Sequence, residues 1–199
     1  MKFAFIGTHG VGKTTLCFEL AALLKKRDRV VEMVHEVARF CPLPINRDTT
    51  IDAQSWILHT EIASELAAAH KAEIVICDRS VLDNFCYLLA AGRAPVLEPL
   101  VKWWTATYQL LIKVPIVSPP GFDGLRDTDT AFQRAIDEKI ESILSEWGIP
   151  AVRLERDRRP FWATDSLEAI LPLLGPVQEP LFDSDAVKSS ETTIPTTLR

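Results

Sequence analysis

Short, nearly all-apolar runs alternate along this chain with longer stretches in which apolar residues recur every three or four positions. The runs read as buried strands and the stretches as amphipathic helices. Lys2 to Gly7 is the first run, as expected of a strand covered on both faces. Thr14 to Arg27 follows with Leu16, Leu20, Leu23 and Leu24 on one helical face, closing on Lys25-Lys26-Arg27, where the helix dipole favours cations. Val30 to Val34 predicts a second strand, Asp52 to Lys71 a long helix, and Glu73 to Asp78 a third strand around Ile74-Val75-Ile76-Cys77. Helices are expected over Val81 to Ala91 and Val96 to Thr107, with a fourth strand over Gln109 to Ile116. Thr130 to Trp147 places Phe132, Ile136, Ile140, Ile143 and Leu144 on one face, and Gly148 and Pro150 end it. Ala151 to Leu154 predicts a fifth strand, and Thr164 to Leu174 a last helix with Thr164 or Asp165 as N-cap.

Strands alternating with helices predict an α/β fold: a five-stranded parallel sheet, right-handed crossovers, and helices on both faces. Its expected extent is residues 1–175. Beyond it, 176–199 is rich in Pro, Ser and Thr without periodicity, and is expected to be an irregular or disordered tail. The chain of 199 residues suits one domain, and 47% hydrophobic with 25% charged residues argues against overall disorder. A net charge of −5 does not suit a protein whose main partner is a nucleic-acid backbone, so a small ligand is favoured over nucleic acid. Cys17, Cys41, Cys77 and Cys86 form no CxxC pair and no zinc spacing, and read as reduced thiols in or near the core. No window approaches a membrane span and the first apolar run is too short for a signal peptide, so the expected location is cytoplasmic, with no membrane contact.

The candidate chemistry begins where the first strand ends. Gly7-Thr8-His9-Gly10-Val11-Gly12-Lys13-Thr14 matches G-x-x-x-x-G-K-[ST] at every fixed position, between a predicted strand and a predicted helix. Glycines let the backbone curl so that successive N–H groups face phosphate oxygens, and the helix N-terminus adds positive charge. Lys13 can bridge the β- and γ-phosphates, and is expected to point into solvent while the site is empty. The Thr14 hydroxyl can ligate Mg²⁺. Gly7 to Thr15 is therefore the expected phosphate-binding segment, for ATP or alternatively GTP.

Three further pieces stand at the carboxyl ends of predicted strands or in the longest connection. Asp78-Arg79-Ser80 follows the third strand, where Asp78 can hold Mg²⁺ or face an acceptor and Arg79 lies near the transferred phosphate. Glu36-Val37-Ala38-Arg39 follows the second: Glu36 can take a proton from an attacking hydroxyl or bind a ribose, and Arg39 can hold an anion by a bidentate contact. Asp123-Gly124-Leu125-Arg126-Asp127 lies in the long connection from Ser118 to Asp129, an expected mobile lid whose Arg126, with Arg134 second, brings positive charge over the phosphates. His9 reads as packing more than chemistry. Trp103, Trp104 and Tyr108 read as core or interface, and Arg153, Arg156, Arg158 and Arg159 form a basic cluster that either brackets a nucleotide or is solvated.

In order, GTHGVGKTT, HEVAR, CDRSVLDN and PPGFDGLRD resemble the P-loop kinase-like family that includes the ribosylnicotinamide kinase domain of bacterial NAD-biosynthesis regulators, often labelled an AAA-type ATPase domain. The resemblance spans Met1 to about Leu174. The layout is similar more broadly to deoxynucleoside and nucleoside monophosphate kinases. It implies a three-layer P-loop fold, Glu36 as acceptor-binding group or base, Asp78 and Arg79 near Mg²⁺ and the acceptor, and Arg126 in an Arg-bearing lid. No adenylyltransferase-like segment precedes Met1, so a kinase unit standing alone is expected.

The expected activity is ATP- and Mg²⁺-dependent transfer of the γ-phosphoryl group to a hydroxyl of a nucleoside-like small molecule, catalysed by Lys13, Glu36, Asp78, Arg79 and Arg126. The acceptor would be held by Glu36, Arg39, Arg79 and Arg134. The alternative is an ATPase or GTPase switch acting on a protein partner. The oligomeric state is left open, a homodimer among the options.

Overall fold

The computed structural model describes residues 1–92, 95–121 and 128–175. Five strands form one all-parallel sheet: β1 (Lys2–Ile6), β2 (Val31–Val34), β3 (Ile74–Asp78), β4 (Leu110–Lys113) and β5 (Val152–Arg153), in the order β2-β3-β1-β4-β5. The connection leaving β1 runs outward to β2, whereas the one leaving β3 passes back over β1 to β4. Right-handed crossovers of opposite direction put their helices on opposite faces.

One face carries α1 (Lys13–Lys25) and α6 (Trp162–Ile170). The other carries α2 (Ile51–Lys71), α3 (Val81–Ala91), α4 (Glu98–Thr105) and α5 (Thr130–Glu146). Alternation along the strands feeds both layers. Phe3 and Phe5 of β1 join Leu16, Leu20 and Leu24 of α1, while Ala4 and Ile6 join Leu82, Phe85 and Ile140 opposite. Because both faces are covered, β1 and β3 are buried along their whole length. Register pairs Phe5 with Asp78, so the chain emerging from β1 and the Asp78 carboxylate share one edge of the sheet.

The periodic segments are where the pattern placed them, and α3 matches to the residue. The differences lie at ends and short elements. The helix expected from Val96 is a 3₁₀ turn, Pro95–Leu97, followed by the shorter α4. Expected strands Gln109–Ile116 and Ala151–Leu154 contract to four and two residues, because pairing stops where the neighbouring strand stops. The last helix starts at Trp162 after a 3₁₀ segment, so neither Thr164 nor Asp165 caps it; Phe161 stands at that position without a capping side chain. Cys17, Cys77 and Cys86 are buried, Cys41 is half-buried, and all four are free thiols. Trp104 and Tyr108 are buried as expected of core residues, whereas Trp103 is 63% exposed. Among the described residues no helix is long and apolar enough to cross a membrane. Asp123 to Asp127, Arg126 included, and 176–199 lie outside the described residues.

Candidate active site

The phosphate loop is a backbone solution to a steric problem. Gly7, Gly10 and Gly12 have φ of 144°, 77° and 95°, a region L side chains rarely adopt. Space is also short: a Cβ on Gly7 would lie 2.8 Å from the Val114 carbonyl oxygen, and one on Gly10 would lie 2.8 Å from Pro120 Cβ. The loop is pinned from both sides. Asp83 of α3 accepts the Gly7 N–H at 2.8 Å, and Gln133 of α5 donates its Nε2 to the His9 carbonyl at 2.9 Å.

Lys13 departs from expectation. It is not in solvent but buried, its ammonium donating to the carbonyls of Gly7 at 2.8 Å and Thr8 at 2.7 Å. The loop's own carbonyls are the nearest acceptors, and an unpaired buried ammonium would be costly. Burial, and next the charge of Arg79, lower its pKa to about 8, against the pull of Asp83, Asp78 and Glu36. Thr14 is half-buried and donates its hydroxyl to Asp78 Oδ2 at 2.5 Å, so the first and third strands place an alcohol and a carboxylate side by side. These are hard oxygen donors of the kind Mg²⁺ takes, and the Thr14 lone pairs stay open while its proton points at Asp78. No cluster of three or more carboxylate, His or Cys ligands occurs among the described residues, so a cation here would draw on waters and phosphate oxygens as well. Thr15 is exposed on the first turn of α1.

The second half of the site is centred on Arg79. It is 7% exposed and holds φ 111°, a conformation rare outside glycine. Its Nε and Nη2 both reach Glu36 Oε1 at 2.6 Å, its guanidinium sits 5.3 Å from the Tyr87 ring centre, and its buried Nη1 has no hydrogen-bond partner among the described residues. Arg39 meets the other Glu36 oxygen at 3.1 Å. Burial on its own would push the Glu36 carboxyl up; the positive charges of Arg79 and Lys13, the Arg79 hydrogen bond and Arg39 outweigh it and hold the pKa at about 2. Glu36 stands at the N-cap of a 3₁₀ turn, Val37–Phe40, so β2 aims it across the sheet edge at the start of α3. Beside this pair lies a cavity of about 40 Å³ lined by Glu36, Gln54, Ile57, Arg79, Asn84 and Tyr87, among others.

Structure thus brings together Lys13, Thr14, Glu36, Arg39, Asp78 and Arg79. It sets Arg134 apart: that side chain is exposed on α5 and lines a different hollow of about 480 Å³, with Pro119, Gln133 and Arg156. His9 is buried, with Nδ1 2.9 Å from the Tyr87 hydroxyl and its ring 5.7 Å from Phe132. Sequence reasoning missed Gln54, Asp83, Asn84, Tyr87 and Gln133. Asp83 carried a signal: Ser80-Val81-Leu82-Asp83 has the spacing of a capping box, which the structure confirms, with Ser80 capping α3 and Asp83 Oδ2 accepting from the Ser80 N–H and Oγ at 2.9 Å. Tyr87 sits one turn further along the same helix, where a residue four positions on shares the face.

A family profile described as an AAA domain matches residues 2–159. No curated protein matches the chain. Among solved structures, the chain is similar to the NadR protein in complex with NR, with 18% identity and a TM-score of 0.72, covering 92% of this chain and 54% of that one. It therefore spans about half the length of that protein. It is also similar to deoxyadenosine kinase from M. mycoides, solved with dCMP and dCDP bound, with 17% identity and a TM-score of 0.60, covering 87% of this chain and all of that one.

Proposed function

The chain belongs to the AAA-domain family of P-loop proteins, and from that premise we propose that it is an ATP- and Mg²⁺-dependent kinase, transferring the γ-phosphoryl group to a hydroxyl of a nucleoside or nucleoside-like molecule. The unit that does so is residues 1–175. The observation that carries this reading is the Glu36–Arg79 ion pair on the same sheet edge as Asp78, facing Lys13. The cavity beside it, about 40 Å³, is smaller than a nucleoside and would have to open to admit one. A hydrolytic switch needs no compartment for a second substrate beside the phosphate loop. Support for the acceptor class comes from the structural neighbour that is a deoxyadenosine kinase solved with dCMP and dCDP bound.

In this reading the loop amides and Lys13 hold the phosphates, Lys13 exchanging its two carbonyl partners for phosphate oxygens. Thr14 and Asp78 would hold Mg²⁺, which would supply charge neutralisation to the phosphates. Glu36 binds the acceptor hydroxyl or ribose. A carboxylate held at about pKa 2 is a weak proton acceptor, so its share is mainly positioning. That suffices for phosphoryl transfer, whose transition state asks for alignment and charge neutralisation more than proton removal. Arg79 Nη1 has the free donor capacity to meet phosphoryl charge as it moves between the two compartments.

The test is ATP consumption with Mg²⁺ against a panel of ribo- and deoxyribonucleosides and vitamin ribosides. Acceptor-dependent ADP release with a phosphorylated product is expected for at least one compound. ATP hydrolysis at one rate in every arm, acceptor or none, would replace the kinase by a hydrolase.

A further inference from the structure

Tyr87 touches both halves of the site. Its hydroxyl lies 2.9 Å from His9 Nδ1 in the phosphate loop, and its ring carries the Arg79 guanidinium at 5.3 Å. It also forms part of the wall of the cavity beside Glu36, and its ring meets Phe132 of α5 edge-on at 6.0 Å. The phenol is buried, and burial raises its pKa against the charge of Arg79, so it stays a neutral hydrogen-bonding group at physiological pH. A contact chain therefore runs from His9 through Tyr87, Arg79 and Glu36 to Arg39. Its middle member can respond as well as hold: Arg79 combines a strained φ of 111° with a buried, unpartnered Nη1, a conformation kept only by its neighbours.

We propose that Tyr87 is a positioning residue that makes the acceptor side sense whether the phosphate loop is occupied, through the His9–Tyr87 hydrogen bond and the Arg79 guanidinium on its ring. The inference rests on the kinase reading and adds to it a cooperative order, in which nucleotide binding prepares the acceptor compartment. Coupling of this kind typically amounts to a 5- to 150-fold change.

The test needs no identified acceptor. Hydrogen exchange is followed with Mg²⁺ and a non-hydrolysable ATP analogue at saturation, on the wild-type chain and on Tyr87→Phe, which removes the hydroxyl and leaves the ring under Arg79. The reporters are peptides containing Arg39 and Cys41, whose amides close the 3₁₀ turn after Glu36. Nucleotide is expected to slow exchange there at least about fivefold in the wild type and less than about twofold in Tyr87→Phe. The phosphate-loop peptides should be protected in both. His9→Leu, which removes the other partner of the same bond, should behave as Tyr87→Phe does once the analogue saturates it. Equal protection of the Arg39 peptides in wild type and variants, or none in the wild type, overturns the inference and leaves the kinase reading standing. Failure of the wild type to bind the analogue overturns both.

Discussion

The two halves of the site are built in opposite ways. The phosphate side is one contiguous octapeptide whose key side chain bonds to carbonyls five and six residues before it. The proposed acceptor side is assembled from residues next to β2, in α2 and at the start of α3, its central ion pair joining residues 43 apart in sequence. A contiguous loop owes its shape to local backbone geometry, three positive-φ glycines and a helix N-terminus, and needs the rest of the fold mainly as an anchor. A distributed cavity has no shape of its own until the sheet has paired in the right register. One half is thus suited to a constant task, gripping phosphate. The other, in the proposed kinase, could be changed residue by residue to suit different acceptors.

The largest expected effect belongs to the contiguous half. Lys13→Ala should lower phosphoryl transfer by about 10³-fold, the upper range for removing a preorganised electrostatic group. It should leave thermal stability unchanged or raised, since Lys13 is a buried charge in the empty site. Turnover within tenfold of wild type would detach the loop from the chemistry.

Glu36→Gln probes the distributed half. We expect transfer to fall by roughly 10²-fold, the low end for a catalytic carboxylate because its low pKa favours positioning over proton removal. ATP affinity and acceptor-free hydrolysis should be retained. Loss of ATP binding in this variant would erase the distinction between the halves, because Glu36 would then serve the phosphate side.

A smaller effect follows from Lys13 itself. Its pKa is lowered to about 8 in the empty site, and phosphate favours the protonated form. Above pH 8 binding must therefore take up a proton, and nucleotide affinity should fall about tenfold per pH unit until the pKa of the complex is reached. The slope should vanish in Lys13→Ala. An affinity flat from pH 7 to 9 in the wild type would mean that Lys13 stays charged without phosphate.

Much of this was legible in the chain before any coordinates. Apolar runs marked β1 and β3 because strands buried on both faces are mostly apolar, with their polar residues, Lys2 and Asp78, at the ends. The helix of α3, expected over Val81 to Ala91, was matched to the residue. The phosphate loop was legible because its function is carried by consecutive residues. Glu36, Asp78 and Arg79 could be named because strand ends in parallel sheets gather at one edge, although nothing in the sequence said that Glu36 and Arg79 would bond to each other. Tertiary structure alone decided the rest. It turned Lys13 inward onto its own loop and put Arg134 on a different hollow from Glu36 and Arg79. It recruited Asp83, Tyr87 and Gln133, from helices α3 and α5, to hold the phosphate loop in place. Such residues are chosen by distance across the fold, and distance between segments remote in sequence is set by strand order, crossover hand and helix packing, none of which is encoded in any short stretch of chain.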